Sequence, residues 1–282
     1  MTAKKTFVML GLPWYRGPDE ATSKEYLAFT SYMGGLSERT ILRDKLGVEA
    51  FDALDLPALT NDPLAEPTVE DYEGLGILQF GICDYSRTSL VGLARERIAE
   101  NCVAYGADYL ISWDADMRFP MSSFLRLWRH QKPIVAALAF TARDPIYPAV
   151  FGVRMVPDPS GDKMYERSDP LFDYPEGTLI GDEHTDGWLA TGAAVMLVDV
   201  GVFRELDQPW FQSTGSGEDW FFCARAAEAG IGRFVDSSLV VDHKCHDVIW
   251  CNAEMYWKTR RERPQDYKSN FGELKPVAAG RP

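Results

Sequence analysis

The chain has 282 residues, 46% of them hydrophobic and 25% charged, enough for a substantial core and against a disordered chain. Its formal net charge of −13, from 29 basic and 42 acidic side chains, argues against a generic nucleic-acid coat, which works by neutralising phosphates with Lys and Arg. No apolar stretch approaches the roughly 18–20 residues of a membrane-spanning helix, so no membrane partner is expected.

In chain order, 5–11 reads as a first strand, closed by Pro13, Trp14 and Arg16; the same interruption speaks against a signal peptide. A helix is expected over about 19–33, a Pro-, Asp- and Glu-rich loop over 57–71, and a strand over 75–83. From 88 to 105, Val91, Ala94, Ile98 and Cys102 recur at helical spacing, with Thr88 or Ser89 as N-cap and Gly106 as the stop. A short buried strand over 107–113 ends at Asp114-Ala115-Asp116. Ser122 or Ser123 caps a short helix that Lys132-Pro133 ends, and Ile134 to Phe140 is a buried strand. The segment 143–187, rich in Pro, Gly, Asp and aromatic residues, reads as hairpins and loops that shape an acceptor site. A strand over 188–198, a helix over 218–229 stopped by Gly230, a strand over 232–241, a helix over 252–263 and an extended tail complete the pattern. Strands alternating with helices in the first half predict an α/β fold: a mostly parallel, Rossmann-like central sheet with helices on both faces. With no internal repeat and no clear linker, one domain is expected, divided into halves over 1–140 and 141–264 with a tail over 265–282.

The five cysteines, Cys83, Cys102, Cys223, Cys245 and Cys251, are odd in number and form no CxxC pair. Neither a disulfide framework nor a structural zinc site is expected, and a reducing, cytoplasmic setting fits.

Four local patterns carry chemistry. Asp114 and Asp116, two residues apart at a strand end, would share a face, and two carboxylates there repel unless a cation lies near them. Ligands of open α/β sheets bind beyond the carboxyl ends of strands, and hard divalent metals take one or two carboxylates plus substrate phosphates. Glu218 and Asp219 open a helix after a Gly-rich turn ending at Gly217. Carboxylates suit a helix N-terminus for dipole reasons alone, but Asp219 also suits a general base, with Glu218 orienting the acceptor. His243 and His246 follow the last strand of the pattern, and either would complete a metal site, shifting preference from Mg2+ towards Mn2+. Arg95 is placed either to meet a nucleotide or to pair with Glu96 or Glu100 on its own helix.

Taken in order, LARERIAENCVAYGADYLISWDADMRFP, ATGAAVMLVDVGVFRELD, GSGEDWFFCARAAEAG and the histidine of VVDHKCH resemble the GT-A glycosyltransferases, in particular β-1,4-galactosyltransferase-like and family 2-like enzymes. The resemblance runs from about Val91 to His246. It implies the GT-A (nucleotide-diphospho-sugar transferase) fold, a UDP-sugar donor and Mn2+ or Mg2+. It implies a metal contact for Asp116, a metal or ribose contact for Asp114, a third metal ligand in His243, a nucleotide contact for Arg95 and the base role for Asp219. More loosely, it places Pro13 and Asp84 beside the nucleotide. Trp220 and Phe221 stand where the galactosyltransferases carry further acidic residues, so the acceptor contacts, expected from Trp188, Gly217, Glu218 and Trp220, should differ. The segment MLGLPWYRGPDEATSKEY is similar to bacteriophage-encoded glycosyltransferases, which makes hydroxymethylated pyrimidines in DNA a candidate acceptor and the host cytoplasm the corresponding location. Two other readings stand beside this one: a nucleotidyltransferase, for which only Arg16 and Gly17 hint at a triphosphate loop, and a non-catalytic nucleotide- or carbohydrate-binding protein.

Overall fold

The computed structural model describes residues 4–13, 20–54, 56–85, 90–158, 160–161, 163–246, 249–271 and 274, with 20–21, 245–246 and 249–250 described in backbone only. The elements in chain order are β1 (Lys5–Leu12), α1 (Glu20–Leu46), α2 (Val48–Asp52), α3 (Val69–Leu75), β2 (Ile77–Asp84), α4 (Val91–Tyr105), β3 (Tyr109–Trp113), β4 (Met117–Arg118), α5 (Ser123–Arg129) and β5 (Ile134–Leu138). There follow β6 (Val150–Pro157), β7 (Met164–Pro170), β8 (Leu179–Ile180), β9 (Trp188–Thr191), β10 (Val195–Asp199), α6 (Gly201–Glu205), α7 (Glu218–Glu228), β11 (Arg233–Val240), β12 (Asp242–His246), β13 (Ile249–Cys251), α8 (Ala253–Glu262) and α9 (Pro264–Phe271).

A seven-stranded sheet of order β2-β1-β3-β10-β5-β11-β8 forms the centre. β1 runs parallel to β2 and β3, and β5 parallel to β11, while β10 and β8 are antiparallel to their neighbours. The mostly parallel α/β sheet expected from the alternating pattern is therefore present. Alternation along each strand builds two cores, one on each face. Val8, Leu10, Leu12, Ile111, Trp113, Val135 and Leu197 join Phe29, Met33, Leu36 and Phe124 on one face. Met9, Leu110, Ile134, Ala136, Met196 and Val198 join Ile98, Cys102, Phe203, Phe222 and Tyr256 on the other. Two small sheets, β13-β12-β4 and β7-β6-β9, flank the main one.

The expected elements are corrected in four places. The first helix extends to Leu46, well past Met33. The segment read as a loop over 57–71 leads into α3, nucleated by a reciprocal capping box between Thr68 and Asp71. The stretch 188–198 is two strands in different sheets, β9 paired with β6 and β10 with β3 and β5. The extended tail contains α9, which Tyr267 docks by burying its ring and donating its hydroxyl to the Ile146 carbonyl at 2.7 Å. Ser122 is the N-cap of α5 but makes no side-chain cap bond; Thr88 and Ser89, proposed to cap α4, lie outside the described residues, where α4 starts after Leu90. Cys251 is disulfide-bonded, against the expectation from the odd cysteine count, while Cys83, Cys102 and Cys223 are free thiols. Among the described residues no helix is long and apolar enough to cross a membrane.

Candidate active site

The parallel strands bring their carboxyl ends to one edge. Leu12 lies opposite Asp84 and Gly11 opposite Ser112, so Pro13, Asp84 and Asp114 follow one another along it. Asp84 is exposed there and Pro13 is buried. The Asp114-Ala115-Asp116 segment is a turn rather than the continuation of a strand: the amide of Met117 donates to the Asp114 carbonyl at 3.1 Å, and the Trp113 indole to the Met117 carbonyl at 3.0 Å. The expectation that both carboxylates share one strand face is corrected accordingly, and each takes its own partner.

Asp116 is brought to His243 by the pairing of β4 with β12, in which His243 faces Met117 and the Lys244 amide donates to the Asp116 carbonyl at 2.9 Å. His243 Nδ1 lies 2.8 Å from the Phe140 carbonyl. A carbonyl only accepts, so Nδ1 carries a proton, and Nε2 faces Asp116 Oδ2, 3.3 Å away. Such a backbone hydrogen bond on one ring nitrogen is what fixes the tautomer of a metal-ligating histidine. Nε2 and the carboxylate hold either the second ring proton or a cation between them. Burial alone would lower the His243 pKa, but its hydrogen bond and charge contact with Asp116 raise it. Burial would raise that of Asp116, and His243 pulls it below the usual range. The residue types and the fixed tautomer fit a divalent ion at Asp116 and His243. Among the described residues no group of three or more His, Cys, Asp or Glu is arranged to hold a metal. Asp114 interacts electrostatically with both members of this pair, and the side chain of His246 lies outside the described set.

Asp114 belongs instead to α4. Arg95, 5% exposed, sets Nη2 at 2.8 and 2.7 Å from the two Asp114 oxygens, and its Nη1 lies 3.6 Å from Glu218 Oε1. Arg95 thus ties the Asp114 turn to the start of α7. It pairs with neither Glu96 nor Glu100 on its own helix; Glu100 takes Arg97 at 2.6 Å. Burial, partly offset by Arg95 and reinforced by Asp116, pushes the Asp114 pKa from 3.8 to about 6.

The sequence reading missed the rest of this helix face. Gly92 allows α4 to approach the loop before α7: a Cβ there would lie 2.7 Å from Ser213 Oγ and 3.2 Å from Glu218 Cβ. Buried Glu96 accepts the amides of Trp210 and Phe211 at 2.9 and 2.7 Å through a single carboxylate oxygen. Glu96→Ala leaves both amides without an acceptor in a buried setting, and a loss of about 2–4 kcal/mol in unfolding free energy is expected from urea melts. Glu96→Gln, which keeps one carbonyl oxygen, should recover most of it.

α7 begins at Glu218, after Gly217 at φ 107°. A side chain at Gly217 would crowd Asp219 Oδ1, at 2.8 Å. Asp219 Oδ1 accepts the Trp220 amide at 2.7 Å, and Oδ2 faces Gly192. Burial raises the Asp219 pKa, with Arg95 opposing. Trp188 and Trp220 meet edge to face at 5.8 Å, with Phe151 at 5.5 Å from Trp220. Trp210 is buried against Phe203 and offers no stacking surface. The arginines of α5 and of the segment from α8 into α9 are engaged within the fold: Arg129 with Asp71, Arg126 with Ser238, Arg260 with Asp173 and Arg263 with Asp144.

No protein-family model matches the chain, and no curated protein sequence does. Among solved structures it is similar to A197 from STIV, with TM-score 0.47 and 10% identity over 89% of this chain and 92% of that one. It is similar to GalNAc-T7 with UDP, GalNAc and Mn2+, with TM-score 0.43 and 15% identity over 94% of this chain and 50% of that one. The match to CMP:2-keto-3-deoxy-manno-octonic acid synthetase complexed with CTP has TM-score 0.34 and 14% identity over 82% and 89%. Likenesses of this strength identify neither activity nor substrate, so the functional reading rests on the site itself.

Proposed function

We propose that the chain is a metal-dependent glycosyltransferase of the GT-A type, moving a sugar from a UDP-sugar to an acceptor hydroxyl. The observation that carries this reading is the carboxyl edge of the sheet, where Asp116 faces His243 Nε2 and the adjoining Asp114 is tied through Arg95 to Glu218, beside Asp219 at the start of α7. The mixed imidazole and carboxylate set favours Mn2+, with Mg2+ as the alternative. Asp116 and His243 would hold the ion, which when bound neutralises the charge building on the diphosphate leaving group. Asp114, backed by Arg95, lies on the nucleotide side, and Pro13 and Asp84 continue that edge towards the base.

In the reaction, the bond from the anomeric carbon to the phosphate oxygen breaks and a bond to the acceptor oxygen forms. The hydroxyl proton passes to the Asp219 carboxylate, whose buried setting makes it more basic than a free aspartate. Glu218 and Trp188, with the turn at Gly217 and Trp220, line the acceptor side. The similarity of the N-terminal segment to phage glycosyltransferases keeps hydroxymethylated pyrimidines in DNA among the acceptors to try.

UDP release from a panel of UDP-sugars with Mn2+ tests the reading. Release is expected from at least one donor, abolished by EDTA, and reduced about 10³-fold or more by Asp116→Ala. Pyrophosphate release from UTP and a sugar 1-phosphate, with no UDP release, would move the chain to the nucleotidyltransferases.

A further inference from the structure

The β6–β7 hairpin runs on past its own sheet. β9 pairs with β6 only over Val150–Val153, whereas β7 follows β6 out to the pair Pro157–Met164. Directly opposed residues share a face. Phe151, Val153 and Met155 of β6 therefore stand on the same side as Glu166 and Met164 of β7 and Trp188 of β9. α7 packs on this side: Val153, Ala190 and Cys223 form a buried cluster with Phe151, Trp188 and Trp220 around it. At the margin of that contact the Trp220 indole N–H donates to Glu166 Oε1 at 2.8 Å, across 54 residues of sequence. Beyond it Met155 and Met164, each 57% exposed, continue the face outward. Trp220 is the residue after Asp219, so the link from hairpin to helix ends one residue from the proposed base.

We propose that Glu166 is a positioning residue that pins Trp220, and with it the first turn of α7, to the hairpin, and that Trp188, Trp220, Met155 and Met164 form a wall for an uncharged acceptor with a flat apolar face. The proposal rests on the glycosyl-transfer reading and gives its acceptor a chemical class. Indole rings and thioethers present polarisable apolar surface to a ring. The polar groups beside them, Glu166, Glu218 and Asp219, are carboxylates, which accept from hydroxyls and repel phosphates. The arginines of the hairpin, Arg154 and Arg167, stand on its opposite face and are paired with Asp186 and Asp169. A polyanion approaching Asp219 along this wall meets negative charge first.

Quenching of intrinsic tryptophan fluorescence by p-nitrophenyl β-D-glucoside tests this, beside methyl β-D-glucoside and a duplex containing hydroxymethylcytosine. The aryl glucoside should bind saturably and about tenfold more tightly than the methyl glucoside. Glu166→Ala and the double variant Met155→Glu/Met164→Glu should each weaken it about tenfold, and Glu166→Gln, which retains an acceptor oxygen, should restore it. All these positions are exposed, so thermal melts should stay close to wild type. Aryl glucoside binding unchanged in Glu166→Ala, or a duplex preferred over both glucosides, overturns the proposal. The UDP-release assay separates the two readings. Release with no preference for the aryl ring leaves the transferase and removes the wall. Glu166-dependent ring binding without any UDP release keeps the wall and removes the transferase.

Discussion

Asp219→Asn is expected to lower the rate of sugar transfer by about 10²–10⁴-fold, the usual contribution of a positioned general base, while UDP-sugar binding stays within about threefold. The substitution preserves shape, and the amide oxygen can still accept the Trp220 N–H, so the first turn of α7 should survive. What it removes is the proton acceptor. Because burial raises the Asp219 pKa, the wild-type kcat/KM should fall with acid in a limb displaced upward from that of a free aspartate, and that limb should vanish in the variant. Single-turnover transfer with a saturating donor, followed across pH, measures both effects. A variant that transfers at the wild-type rate would take the base role from Asp219. A variant that loses donor binding in parallel would point to a structural role for the residue at the Glu218–Arg95 contact.

Local order in the sequence made much of this site legible. The carboxylates at 114 and 116 follow a strand and those at 218 and 219 open a helix, as their flanking residues required. The approach of Asp116 and His243 was not contained in any local pattern; it comes from β4 pairing with β12 across 127 residues. Glu96 was invisible for the same reason, since its two amide partners lie 114 and 115 residues on, and a glutamate on a helix reads as a solvated face. The break between β9 and β10 was hidden because Trp188 to Val198 is apolar almost throughout, and only Gly192 marks where the chain leaves one sheet for the other. By contrast α3 was readable and missed: Thr68 and Asp71 have capping-box spacing within a stretch whose prolines suggested a loop. Glu166 on an exposed strand gave no signal at all, because its partner Trp220 is fixed by the packing of α7 on the hairpin.

Arg95→Met should destabilise the metal-free protein by about 2–4 kcal/mol at pH 8 and by much less at pH 5. Arg95 is almost wholly buried, and its Nη2 carries both oxygens of Asp114, whose side chain is 24% exposed. Removing the cation leaves a carboxylate in a setting where burial already pushes its pKa from 3.8 to about 6. The sign follows from proton counting. Between pH 3.8 and 6 the folded state holds more protons at Asp114 than the unfolded state, so the contribution of this group to stability falls as pH rises and levels off above about 6. Without Arg95 the folded pKa rises further, the fall continues to higher pH, and the gap between variant and wild type widens with it. Protonation at pH 5 relieves the unpaired charge and narrows the gap. Urea melts of both proteins in EDTA at the two pH values measure it, and the slope should shrink when Asp114→Asn is added to Arg95→Met, leaving the smaller share of Asp219, which Arg95 also faces. A deficit equal at pH 5 and pH 8 would mean that Arg95 stabilises the fold through packing, and that the contact between the Asp114 turn and the start of α7 does not depend on charge.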